Sequence, residues 1–449
     1  MSSTSAQDPP ISQHPLVTGF EVKGLFGRFN HKVTLEPDAP FAIVIGPNGI
    51  GKTSFFELAR AAVTFRVVDL LKANYEAFSV RFSDGATLTY SRTHQDDKEP
   101  VLVVRATTAN GDTIASEVVV PSLDESLLST IDKRVPLRRV ERDLWWDDDT
   151  DEVIDLAEVI ERFGSELLPD NFRLEEPLIH YIRSDAASLI ETQRLTHNRP
   201  ARRHPIGPRW DRPRNSRSAV ELYSNELEKH LANRFASSGT LGQQLDRTFA
   251  SRVLKRTPPT VDEDIVRKSY SEQLAFRERL VELGFADPAP EVELPSDTLK
   301  EPELRLMEEY LNDSREKLHV FSDVLDKIEL MQELIREKFL YKRFSITRDG
   351  FSVKSDEPPF HSIPLSALSS GEQHELVLIH SLLFRVSEGS VVLIDEPELS
   401  LHVRWQRRFL ADLRRIAKLA NIRFLIATHS PQIIDEWWEF ATELGGEWK

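Results

Sequence analysis

With 449 residues, 40% of them hydrophobic and 29% charged, the chain can bury a large core in two or three domain-sized units. A net charge of −16 excludes a surface that is basic throughout, so any nucleic-acid contact must come from a local patch. No run of about 18 apolar residues is present, which excludes a membrane-spanning helix, and the absence of cysteine excludes disulfides and Cys-ligated zinc. These limits fit a cytoplasmic protein with no membrane partner.

Residues 1–15, MSSTSAQDPPISQHP, are polar and Pro-rich, lack the basic and apolar regions of a signal peptide, and predict a flexible tail. Residues 16–35 alternate in strand fashion around a Gly-rich middle and predict two strands. Phe41 to Ile45 is apolar and largely β-branched or aromatic, as in a buried strand. Gly46 follows, then four residues, then Gly51-Lys52-Thr53, with a helix predicted from Ser54 to about Leu71. Strand, G-x-x-x-x-G-K-[ST], helix is the phosphate-cradling loop in the context it requires. Gly46, Gly49 and Gly51 let the backbone fold around an anion and aim its N–H groups inward. Lys52 would reach the terminal phosphates, Thr53 would ligate Mg²⁺, and the helix start adds its partial positive charge. The expected nucleotide-binding stretch is therefore Gly46, Pro47, Asn48, Gly49, Gly51, Lys52, Thr53 and Ser54. A nucleoside triphosphate is the expected ligand. The residues do not fix ATP over GTP; Phe26 or Phe29 would stack on a base or simply pack in the core.

Turn signals at Asp84-Gly85 and Asn110-Gly111, each flanked by apolar alternation, predict two hairpins and hence an antiparallel sheet beside the nucleotide core. From about Pro121 to Asn171 the pattern turns helical and acidic, and Trp145-Trp146 beside Asp147-Asp148-Asp149 reads as a solvated loop with anchored tryptophans, the alternative being a docking surface. Residues 178–195 read as a return to the core sheet. Arg194 to Arg217 carries eight arginines and four prolines and cannot form a core. Arg202, Arg203, Arg209, Arg212, Arg214 and Arg217 with Trp210 would hold DNA or another polyanion, or the segment is a linker. Residues 218–285 are mostly helical, and 302–340 predict one helix about 55 Å long, whose stripe of Leu311, Leu318, Phe321, Leu325, Ile328, Met331, Ile335 and Phe339 has the steps of a short coiled-coil seam. Phe344–Thr347 and Gly350–Val353 predict a small hairpin.

Val391 to Ile394 is a second buried strand, ending in Asp395-Glu396. In a phosphate-loop NTPase, Asp395 there would hold Mg²⁺ through water and Glu396 would act as general base on the attacking water. A third strand, Arg423 to Ala427, delivers Thr428-His429-Ser430, and His429 would sense the γ-phosphate. Ser369-Ser370-Gly371-Glu372 opens a helix and offers a second anion site, which a partner subunit would supply; the alternative is an ordinary helix cap. The catalytic set read from the chain is thus Lys52, Glu396 and His429.

The set GPNGIGKTS, LSSGEQ, VVLIDEPELSLH and ATHSP resembles the ABC-type ATPase heads of the SMC and RecF kind, and most closely the prokaryotic OLD-like AAA-family ATPases of antiphage systems. ETQRL, LGQQLD and SSGEQHELVLIHSLLF are also similar to that group. The resemblance implies an α/β P-loop NTPase of ABC-ATPase head type, with a mixed sheet core, an antiparallel β subdomain and a helical, short coiled-coil insertion. It implies a head dimer holding two ATPs, each between one subunit's phosphate loop and the other's Ser369, Ser370, Gly371 and Glu372. Gln193 is implied as the glutamine that binds nucleotide and Mg²⁺ at the lobe interface. His402, in ELSLH, stands where transporter ATPases have Asp, and resembles the non-transporter branch. The implied division is a tail at 1–15, half of the head at 16–195, a linker and helical insertion at 196–340, and the other half at 341–449. Only 17 residues follow Gln432, too few for a fused nuclease. An ATPase of this build resembles those of the Septu and PARIS systems, which work with a separate nuclease or toxin-like partner. The expected function is an ATP-hydrolysing subunit of such a defence complex; a RecF-like DNA-repair ATPase or an ATP-loaded scaffold are the alternatives.

Overall fold

The computed structural model describes residues 14–36, 39–93, 101–119, 125–141, 144–147, 152–167, 176–191, 218–255, 262–286, 294–399 and 401–445. Gln193 and the Arg-rich stretch 194–217 lie outside them. The chain forms two compact units, one from residues 1–193 with 386–449 and one from 194–385.

In chain order the first unit begins with β1 (Val17–Leu25), β2 (Phe29–Thr34), β3 (Phe41–Ile45), α1 (Lys52–Thr64), α2 (Val67–Lys72), β4 (Ala77–Phe82), β5 (Thr87–Thr93), β6 (Val101–Thr107) and β7 (Thr113–Val119). It continues through α3 (Glu125–Arg134), β8 (Leu137–Glu141), β9 (Leu144–Asp147), β10 (Glu152–Asp155), α4 (Leu156–Leu167), α5 (Glu176–Ile179) and β11 (Ala187–Glu191). The second unit holds α6 (Ala219–Lys255), α7 (Glu263–Glu282), α8 (Glu301–Arg336), β12 (Lys342–Thr347), β13 (Gly350–Ser355) and α9 (Ser370–His380). The first unit then resumes with β14 (Val391–Asp395), α10 (Val403–Gln406), α11 (Phe409–Ala420), β15 (Arg423–Ala427), α12 (Pro431–Ile434) and β16 (Ala441–Glu443).

Strands of the first unit separate by direction. A five-stranded parallel sheet has the order β11-β14-β15-β3-β16, and a six-stranded antiparallel sheet the order β2-β1-β4-β5-β6-β7. The two strand directions expected of the core thus occur in separate sheets, and the fold class is α/β with an antiparallel subdomain. The sequence explains the split. β3, β14 and β15 are continuous apolar runs, buried on both faces as parallel strands are, whereas β4 and β5 alternate buried with half-buried residues. Turns at Gly85 (φ 84) and Gly111 (φ 88) close the β4–β5 and β6–β7 hairpins as predicted.

Helix α1 joins the sheets, and its burial matches that position: Phe55, Phe56, Leu58, Ala59, Ala61, Ala62 and Val63 are all buried. A helix apolar almost all round needs cover on every side. Phe55 meets Phe20 of β1 at 6.4 Å and Phe78 of β4 at 5.8 Å between ring centroids. The helix stops at Phe65, which takes a left-handed backbone at φ 57, so the predicted run to Leu71 is two helices.

One expectation is overturned. Trp145 and Trp146 lie not on a loop but on β9, the middle strand of a three-stranded antiparallel sheet ordered β10-β9-β8. Trp145 is fully buried in a small core with Val68, Ile131, Ile154 and Val159, and its Nε1 donates to Asp132 at 3.0 Å. Asp147 turns inward too, accepting from Arg162 at 2.9 Å. A four-residue strand reading LWWD carries too short an alternation to show itself among acidic neighbours.

In the second unit, α6 runs antiparallel to α8: Arg252 is clamped by both oxygens of Asp313 at 2.6 Å, and Arg234 reaches Asp323 at 3.1 Å. The apolar stripe of α8 is buried at Leu311, Phe321, Leu325, Ile328, Met331 and Ile335, with Leu318 only half-buried. Two histidines of α9 are buried without a neutralising carboxylate. Burial pushes the His374 imidazole down to about 4, and burial, then Arg385 and His230, push His380 down to about 3. The native state keeps both neutral, while the unfolded chain binds protons near the usual value of about 6.5. Stability is therefore full above pH 6.5 and falls as the pH drops toward 4, because the unfolded state binds more protons there. Each histidine contributes about 1.4 kcal/mol per pH unit in that window. Denaturant unfolding at pH 7.5 and 5.5 should show the loss, and His380→Phe should remove about half of the part due to this pair; an unchanged pH dependence in that variant would contradict the account.

Candidate active site

The site is built by register. Asp395 of β14 pairs with Ala427 of β15, and Ala427 pairs with Val44 of β3, so three parallel strands end at one level. Their following loops emerge side by side. In open α/β sheets that edge, beyond the carboxyl ends of the strands, is where ligands bind.

The loop after β3 is held by its glycines. Gly46 has φ 152, and a Cβ there would stand 2.9 Å from the Leu444 carbonyl of the strand-end beyond β16. Gly51, at φ 89, is the left-handed cap of α1, and a Cβ on it would stand 2.7 Å from Leu25 and 3.0 Å from Phe26. Gly49 has φ 87, with nothing within 4 Å of where a Cβ would be. Packing forbids a side chain at the first two; at Gly49 only the backbone does.

Lys52, the first residue of α1, is 6% exposed. Its Nζ donates to the carbonyls of Gly46 at 2.9 Å and Pro47 at 3.2 Å, and lies 2.5 Å from His429 Nε2. Burial lowers its pKa, against the opposing fields of Glu396, Asp395 and Glu398. Thr53 Oγ1 donates to Asp395 Oδ2 at 2.6 Å. Glu396 has a left-handed backbone (φ 47), its N–H bonded to the Ala427 carbonyl at 2.9 Å, and its Oε1 is 3.9 Å from His429 Nε2. Lys52, Thr53, Asp395, Glu396 and His429, scattered over 378 positions of sequence (Lys52 to His429, both ends counted), therefore meet at one place. Ser54 follows them within the first turn of α1.

Mg²⁺ is tested by the Thr53–Asp395 contact. A hydroxyl and a carboxylate oxygen side by side suit a hard cation that takes one or two protein oxygens and completes its shell with phosphate and water. Among the described residues no group of three or more His, Cys, Asp or Glu could hold a metal without such help. The donor set fits. Of the two aromatic rings, Phe26 is 44% exposed beside Gly51, whereas Phe29 is partly buried against the core and stacks on His31 at 5.8 Å.

Two residues of the site escaped the sequence reading. Glu398 accepts from Thr428 Oγ1 at 2.8 Å and from the His429 N–H at 2.7 Å, so it fixes the loop that carries His429. Gln406 of α10 accepts from Ser430 at 3.0 Å and donates to the carbonyls of Leu401 at 3.2 Å and Glu398 at 3.3 Å. The visible signal was Glu398 three residues after Asp395, but only the strand register shows what it holds. His402 caps α10, its Nδ1 accepting from the Arg404 N–H at 3.3 Å.

In the second unit, Ser369 caps α9 through a reciprocal box. Its Oγ accepts from the Glu372 N–H at 3.3 Å, and Glu372 Oε2 accepts from the Ser369 N–H at 2.9 Å. Burial works against the charge on Glu372, but bonds from Lys342 and Ser369 hold its carboxyl below the usual range. The side chains of Ser369 and Glu372 are thus engaged in building the helix start, and exposed Ser370 and half-buried Gly371 are what it presents.

The chain is similar to several known proteins. The family model described as "AAA domain, putative AbiEii toxin, Type IV TA system" matches residues 41–435. The chain is 36% identical over 83 residues to the Retron Ec83 probable ATPase of Escherichia coli, a match covering 16% of this chain and 15% of that protein. It is 40% identical over 72 residues to Protein ea59 of Escherichia phage lambda, covering 16% of this chain and 14% of that one. The matched stretch is thus a small fraction of each relative's length. Among solved structures, the Smc head domain bound to the C-terminal domain of ScpA from Pyrococcus furiosus is 14% identical with a TM-score of 0.34, over 94% of this chain and 91% of that one. The SMC head domain from Thermotoga maritima is 11% identical with a TM-score of 0.31, over 95% and 92%. A model spanning the phosphate loop, Asp395-Glu396 and His429 covers most of the chain, which belongs to this AAA-domain ATPase family.

Proposed function

We propose that the chain binds ATP with Mg²⁺ and hydrolyses it to ADP and phosphate. The observation that carries this is the meeting of Lys52, Thr53, Asp395, Glu396 and His429 at the ends of β14, β15 and β3. Lys52, the loop N–H groups and the start of α1 bind the phosphates. Thr53 and Asp395 hold Mg²⁺, which when bound neutralises charge on the phosphate oxygens. Glu396 takes a proton from the attacking water as its oxygen bonds to the γ-phosphorus and the bond to the ADP oxygen breaks. His429 contacts the γ-phosphoryl group, and Phe26 offers its exposed face to the base.

The nucleotide is sandwiched between two copies, with Ser370 and Gly371 of one closing on the phosphate loop of the other. This closure controls a separate nuclease or toxin-like effector in an antiphage complex. The family's toxin–antitoxin description and the retron relative support the defence role. A ligand at a thousand times its Kd adds about 4 kcal/mol to the state it prefers, enough to shift a closed–open balance by about three decades.

Size-exclusion chromatography with light scattering tests the sandwich. ATP·Mg²⁺ should drive dimerisation of the wild type, and Ser370→Arg should block it while leaving nucleotide binding by the monomer intact, since Ser370 is exposed. An assembly indifferent to both nucleotide and Ser370→Arg rules the sandwich out.

A further inference from the structure

The phosphate loop has a support on β2 that the hydrolytic scheme does not use. His31 is 2% exposed, its ring stacked on Phe29 at 5.8 Å with an interplanar angle of 15°, and set edge-on to Phe55 of α1 at 6.1 Å. Strand alternation turns it inward, since Asn30 and Lys32 on either side are exposed. Its Nε2 lies 2.8 Å from the carbonyl oxygen of Ile50, inside the loop between Gly46 and Lys52. A carbonyl only accepts, so Nε2 carries the proton and donates. In that tautomer Nδ1 is the acceptor nitrogen, buried with no hydrogen-bond partner.

A buried histidine with one nitrogen bare is a poor choice for packing alone. Leaving a polar atom unmatched carries a cost that an apolar ring of similar size would avoid. What the imidazole supplies is the single donor to Ile50. That bond fixes the peptide plane between Ile50 and Gly51, and in a trans peptide the Gly51 N–H points opposite to the Ile50 carbonyl. With the carbonyl drawn toward β2, the N–H is aimed away from it. Leu25 and Phe26 close on Gly51 from the same hairpin.

We propose that His31 is a positioning residue: its Nε2–H pins the Ile50 carbonyl, setting the Gly51 N–H and the start of α1 in the orientation that receives phosphate. The inference rests on the ATP reading above. Removing the donor leaves the loop free to sample other peptide orientations and lowers the fraction competent to bind, and the apparent affinity drops with that fraction. The ring is not a catalytic residue, for it touches the loop and no reacting atom.

The test measures Mg·ATP affinity of the full chain by titration calorimetry, together with melting in the absence of nucleotide, for His31→Phe, His31→Gln and His31→Asn. Phe keeps the ring and loses the donor. Gln places an N–H₂ near the Nε2 position, and Asn places it near Nδ1, short of Ile50. Affinity should fall about tenfold in His31→Phe, return to within about threefold of wild type in His31→Gln, and stay weak in His31→Asn. Wild-type affinity in a folded His31→Phe overturns the proposal. Should His31→Phe not fold, the Gln and Asn pair decides, and equal affinities in the two overturn it. Failure of the wild type itself to bind Mg·ATP removes the ATP reading, an outcome distinct from any difference among the variants.

Discussion

A Glu396→Gln chain should bind Mg·ATP as the wild type does and turn it over about 10²- to 10⁴-fold more slowly, the usual range for loss of a general base. The substitution keeps the length and shape of the side chain and removes only the basic oxygen. The backbone suits Glu396 to the proposed role: the residue after the β14 strand leaves the sheet at φ 47, held by its N–H bond to Ala427. Left-handed geometry at a non-glycine residue costs about 1–3 kcal/mol and persists where surrounding structure imposes it. Here the carboxylate stands 3.9 Å from the His429 ring. Single-turnover phosphate release measured beside nucleotide retention checks the expectation. Retained ATP with little phosphate released supports the base role; release within twofold of wild type assigns the proton to another group.

The second large effect is expected at Glu398. Its carboxylate serves two donors at once, the Thr428 hydroxyl and the His429 N–H. Thr428 has no solvent exposure, so in Glu398→Ala its buried hydroxyl loses the acceptor that satisfies it. The His429 N–H sits at an exposed residue where water can replace the carboxylate, so the one buried unmatched donor costs about 1–3 kcal/mol, which should appear as a lower melting temperature without nucleotide. Turnover should fall about tenfold to a hundredfold, because a displacement of about 1 Å in a positioned group suffices for that. Affinity for Mg·ATP should fall less, since Lys52 and the loop remain. A variant that loses stability but keeps full turnover would show that His429 does not depend on this anchor for its work.

Much of this was legible because it is local. The phosphate loop announces itself in consecutive residues, with three glycines at positions whose φ is positive. Asp395-Glu396 and Thr428-His429 likewise stand directly at the ends of unmistakable apolar strands. The capping box at Ser369 and Glu372 is written at three-residue spacing. What stayed hidden is set by pairing across the fold. Glu398 matters because β14 and β15 are neighbours in register, and His31 because the β1–β2 hairpin packs on α1; neither pairing is encoded near the residue itself. Trp145 misled for a related reason. Its strand is four residues long, and only burial against Ile131, Ile154 and Val159 makes it a strand.

The surroundings of Lys52 carry a last consequence. An ammonium has three N–H bonds, and Nζ here has three acceptors: two loop carbonyls and the imidazole of His429. Its donor capacity is fully spent within the protein. On the proposed ATP reading, phosphate would bind by exchange, taking Nζ from partners that already hold it, rather than by capturing an idle charge. One of the displaced partners would be His429, so arrival at the β3 loop would release a nitrogen on the β15 loop in the same event. Occupancy of one loop would thereby be reported to the other through a single shared proton donor.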